Sequence, residues 1–79
     1  MNVAEVSEET VRTKLRTEDP QFEALEKEHR KLDQELMGFE THVYLSPEEE
    51  FERRRLQKLK LAAKDKMTEL IRQYRMVHA

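Results

Sequence analysis

The sequence has no cysteine and no tryptophan, and only one glycine and two prolines in 79 residues. Without cysteine, disulfides and thiolate zinc sites are excluded, and the redox compartment stays open. So little glycine and proline leaves few places to turn, which suits long helices rather than a sheet. Long apolar runs are missing too. No stretch approaches a signal h-region or a membrane span, so the expectation is a cytoplasmic protein. Nor is there a charge excess: the formal net charge is −2, which points to neither nucleic acid nor membrane. There is no Gly-rich phosphate loop, zincin motif or nucleophile elbow, and both serines, Ser7 and Ser46, suit helix caps. The expectation is a non-enzyme with no cofactor, no catalytic residue and no resident metal.

What the chain does have is charge and period. Charged residues make up 41% of it, leaving material for one small domain over residues 1–79. Phe22, Leu25, His29, Leu32, Leu36, Phe39 and Val43 follow one another at alternating steps of three and four residues. That is an unbroken heptad seam on one side of a helix. A second stripe, Leu56, Leu59, Ala63, Met67, Leu70, Tyr74 and Val77, repeats the pattern with one extra step of four near Ala63. Such a stutter relaxes supercoiling locally.

Punctuation divides the chain. Residues 1–6 carry no pattern and are expected to fray. Residues 7–17 read as a short helix capped by Ser7, with Val11 and Leu15 inward. Asp19-Pro20 ends it and starts a helix over 19–43, because proline disfavours helix in the residue before it and fits the first helical position. Gly38 weakens the end of that helix. Residues 44–46 read as the turn. Ser46, Pro47 and Glu49 then form a capping-box signature opening a helix over 47–77.

A short connection makes neighbouring helices antiparallel. The expected fold is all-α: a coiled-coil-like two-helix hairpin with a short N-terminal helical segment. The expected register sets Phe39 against Phe51, Leu32 against Leu59, His29 against Ala62 or Ala63, and Phe22 against Leu70. Charge agrees: residues 18–40 hold eight acids and three bases, residues 53–75 nine bases and two acids. A single two-helix seam rarely stabilises so short a chain. Leu61 points away from the stripe, towards the side where Phe51 and Met76 lean. Self-association into a bundle, as a dimer or larger homo-oligomer, is therefore expected.

Three features could carry function. His29 sits on the seam one turn before Asp33. A polar seam residue can fix register, and a His-Asp pair can bind a metal or respond to pH, though two ligands are too few for structural zinc. Arg53, Arg54, Arg55, Lys58 and Lys60, continuing to Lys66, could bind nucleic acid or another anionic surface. They point in many directions, however, and no aromatic residues interleave with them. The leading reading is a structural or interaction protein that self-associates and offers helix faces to a helical partner protein.

The residues also carry a resemblance. Asp19-Pro20-Gln21-Phe22, Leu25, His29, Leu32-Asp33 and Leu36 are similar to the first half of the YdcH-like family of small bacterial proteins. Ser46 with its acids, then Leu56 through Met67 around Lys60-Leu61-Ala62-Ala63-Lys64-Asp65, resembles the second half. The likeness spans about residues 11–70. It implies a bacterial helical hairpin with no assigned biochemical function, and it transfers no catalytic residue. It draws attention to His29, Asp33, Leu61, Lys64 and Asp65 as shared positions. Lys66 departs from the acid the family usually carries there.

Overall fold

The computed structural model describes residues 7–78, and among them it holds three helices and no strand. These are α1 (Glu8–Glu18), α2 (Pro20–Glu40) and α3 (Pro47–Val77). The fraying expected of residues 1–6 lies outside the described residues. Each helix starts at a residue whose side chain satisfies an orphan amide. Ser7 Oγ accepts from the Thr10 amide at 3.2 Å. The Asp19 carboxylate accepts from the Gln21 amide at 2.9 Å. Ser46 Oγ accepts from the Glu49 amide at 3.1 Å, and Glu49 Oε1 accepts in return from the Ser46 amide at 3.0 Å. That capping box holds the Glu49 carboxyl below its ordinary pKa, chiefly through the hydrogen bond from the Ser46 backbone. Pro20 and Pro47 occupy first-turn positions where no amide hydrogen is needed.

The end of α2 departs from expectation. It stops at Glu40, not Val43, so the connection is 41–46 rather than 44–46. The hydroxyl of Thr41 donates to the Gly38 carbonyl at 2.9 Å, and the His42 amide donates to the Phe39 carbonyl at 3.2 Å. The last carbonyls are thus satisfied by a local turn and not by another turn of helix. Val43 is 88% exposed, so the buried seam of α2 ends at Phe39.

The core lies in two parts. Val11 and Leu15 of α1, Phe22 of α2 and Met67 and Ile71 of α3 bury one another, with Leu25, Leu70 and Tyr74 packed against them. Leu32, Leu36 and Leu56 form the second cluster, with Phe39 packed against it. The start of α2 therefore meets the far part of α3, and the end of α2 meets the near part.

The inward stripe of α3 is also revised. Its buried residues are Leu56, Ala63, Met67 and Ile71, whereas Leu59 and Val77 are exposed. The reason is α1, which packs over Met67 and Ile71 and rotates the buried arc towards Ile71. Leu32 accordingly clusters with Leu56 and not with an exposed Leu59. Phe51, the expected partner of Phe39, is 70% exposed and outside the buried cluster that Phe39 flanks. Five residues from Leu56, Phe51 stands about 140° round the helix from it.

Candidate functional site

Two stripes define the groove between α2 and α3. On α2 it comprises Phe22, Glu26, His29, Asp33, Leu36 and Glu40, at steps of four and three. On α3 it comprises Arg53, Gln57, Lys60, Lys64, Met67 and Ile71 at the same steps. Residues so spaced share one helix face. At the end built by Phe22, Met67 and Ile71 the groove is filled by α1 through Val11 and Leu15. Beyond α1, among the described residues, it is open, as a cleft of about 370 Å³ lined by Asp33, Leu36 and Glu40 from α2 and Arg53, Gln57, Lys60, Leu61 and Lys64 from α3.

An ion pair ties α1 into the filled half. Arg16 Nε lies 2.5 Å from Glu26 Oε1, and Arg12 Nη1 lies 4.0 Å from Glu26 Oε2. The Glu26 side chain is only 11% exposed. Its carboxyl is held below the ordinary value, first by the Arg16 hydrogen bond and then by the charges of Arg16, Arg12 and Arg30, against the opposing effect of burial.

The open half has its own pair, Lys60 Nζ to Asp33 Oδ1 at 2.5 Å. The Lys60 hydrogen bond and charge lower the Asp33 pKa, and the charge of His29 adds to this. Arg53 Nη2 reaches Glu50 Oε2 at 3.3 Å, while its Nε is buried without a hydrogen-bond partner. Lys64 is exposed and has no ion-pair partner among the described residues. Leu61 is 58% exposed and stands at the groove edge.

Of the residues singled out in the sequence, Asp33, Leu61 and Lys64 come together in the cleft. His29 is half-buried one turn before Asp33, but the hydrogen bond to that carboxylate comes from Lys60. Asp33 thus makes a cross-helix ion pair with Lys60 beside His29, and among the described residues no three His, Asp or Glu side chains converge as metal ligands would. Asp65 is exposed and outside the cleft lining. The basic set does not form one face. Arg53 and Lys60 line the cleft, Arg55 is held by Glu52 at 3.0 and 2.5 Å, and Arg54 and Lys58 are exposed elsewhere. Glu40 and Gln57 carry no such signal in the sequence, and Leu36 reads there as a seam residue. Their shared face is legible from spacing alone, but its openness depends on where α1 stops.

Among the described residues no helix is long and apolar enough to cross a membrane. A family profile described as "Protein of unknown function (DUF465)" matches residues 22–71, well over half of the chain and all of the groove. No curated protein and no solved structure matches the chain.

Proposed function

The chain belongs to the DUF465 family, the YdcH-like small helical proteins of unknown function, and from that premise we propose that it is a non-enzymatic interaction protein. In this reading α2 and α3 form an antiparallel hairpin that self-associates in a bacterial cytoplasm and presents helix faces to a protein partner. The observation that carries the reading is Leu61, a leucine more than half exposed in the middle of the longest helix. Phe51 and Met76 add exposed apolar surface on the outer side of α3. The small core supports it as well, because a chain with so few buried side chains gains stability by burying more against a second copy. Part of the charged surface is committed within the chain, as in the pairs of Arg55 with Glu52 and Arg72 with Glu69. Sedimentation equilibrium of the full chain tests the self-association: an oligomer is expected at roughly micromolar concentration, and a folded monomer there removes that part of the reading.

A further inference from the structure

We propose that the open half of the α2–α3 groove is a docking site for one amphipathic helix of a partner protein, carrying acidic side chains on the flank that faces α3. This rests on the reading of the chain as an interaction protein and names the surface and the chemistry of the partner.

The molecule contains its own template. In the filled half, α1 lays Val11 and Leu15, four residues apart, into the groove. It then reaches the α2 wall with Arg12 and Arg16. The same two helical stripes continue without interruption past the N-terminal end of α1. By rise per residue, the 11 residues of α1 cover about 16 Å, against about 31 Å for the 21 residues of α2. Roughly three turns of groove are left over. Leu36 and Leu61 supply apolar surface there, as Phe22 and Ile71 do beside α1. The site continues an interface that already holds a helix.

Charge selects the occupant. On the α2 wall Asp33 is already matched by Lys60, and Glu40 has no ion-pair partner among the described residues, so that wall suits a base, as Glu26 takes Arg12 and Arg16 from α1. On the α3 wall Arg53 is met by Glu50 at 3.3 Å, and Lys64 has no ion-pair partner among the described residues. A carboxylate arriving along α3 would pair with Lys64. A second copy fits poorly. The exposed large apolar residues in the helices are Met37, Phe51, Leu59, Leu61, Met76 and Val77. No two of them stand three or four apart in one helix, so the described chain offers no knob pair like Val11 and Leu15. Its own α3 would add like charge to the basic wall.

The test is an NMR titration of the full chain with a synthetic helical peptide of roughly three turns, bearing leucines four apart and glutamates along one flank. A matched peptide carries lysines in place of the glutamates. The acidic peptide is expected to shift the amides of Gln57, Lys60, Leu61 and Lys64 and to leave those of Val11 and Leu15 in place. It should bind at least about tenfold tighter than the basic one, and Lys64→Glu should remove about that preference. Leu61→Ala should weaken both peptides, with thermal melting of each variant read as the folding control. Equal binding of the two peptides, or shifts centred on Val11 and Leu15, would overturn the proposal. So would the amides of Gln57, Lys60 and Lys64, the groove residues apart from Leu61, moving when the chain alone is concentrated, which would give the groove to a second copy. Sedimentation of the same samples separates the two claims. A monomer that binds the acidic peptide removes self-association and keeps the groove. An oligomer indifferent to the peptide does the reverse.

Discussion

Beside α1, and again towards the 41–46 connection, the α2–α3 groove is built from the same two helical stripes, but among the described residues only the first half has a third wall. There Phe22 is 0% exposed, because side chains from all three helices enclose it. In the other half Leu32, Leu36 and Leu56 are buried by two helices and one flanking phenylalanine. The ion pairs differ in the same sense. The carboxylate that pins α1 is almost wholly covered, whereas Asp33 and Lys60 remain partly in solvent. A two-helix seam buries only its central row, and the rows beside it need a third body.

The contrast can be broken most severely at Phe22. Phe22→Ala removes the side chain shared by all three helices and should cost about 3–5 kcal/mol, measured by urea unfolding. For so small a domain that is most of the stability. Leu36→Ala in the open half should cost less, and an equal loss would mean that the third wall adds nothing. Next comes Ser46→Ala, which leaves the Glu49 amide without its capping acceptor; a loss of about 0.5–2 kcal/mol is expected from the same measurement. Gly38→Ala should act in the opposite direction. A Cβ there meets nothing within 4 Å, so the better helix former should stabilise by about 0.5–1 kcal/mol.

Acid should separate the two halves. Glu26 and Asp33 both ionise more readily in the folded chain than in the unfolded one. Each therefore stabilises the fold above its unfolded pKa, and that contribution is lost as pH falls through its lower, folded value. Protection factors in α1, taken against the intrinsic exchange rate at each pH, should fall as the Arg16–Glu26 pair is protonated away, and Glu26→Gln should flatten that pH dependence. If α1 protection is unchanged by acid, the ion pair does not hold it. The smallest effect belongs to Leu61→Lys. This residue is outside both clusters, so thermal melting of the monomeric fold should move stability by no more than about 0.5 kcal/mol.

Much of this fold could be read from residue spacing. The seam from Phe22 to Phe39 and the caps at Ser7, Asp19 and Ser46 are local patterns, set by helical period and by short-range hydrogen bonds. What could not be read depended on tertiary placement. Val11 and Leu15 were visible as inward residues, but not the groove they enter. For that reason the period alone leaves Ile71 off the stripe although it lies in the core, and puts Leu59 and Val77 on it although they are exposed. Val43 kept the heptad spacing after the helix had ended, because period carries no information about the turn made by Thr41 and His42. The cleft shows the same division. Asp33, Leu61 and Lys64 could be named from the chain, while their assembly into one open site follows from the shortness of α1.

One residue, Asp19, separates α1 from α2. Its amide closes the last turn of one helix at Leu15, and its carboxylate and carbonyl begin the next at Gln21 and Glu23. This joint works as an elbow rather than a tether. To swing α1 aside a rival helix would have to turn the Asp19 backbone and break the bonds that close one helix and cap the next. Occupancy of the filled end by any competitor would therefore register as lost ellipticity, whereas occupancy of the vacant end would not.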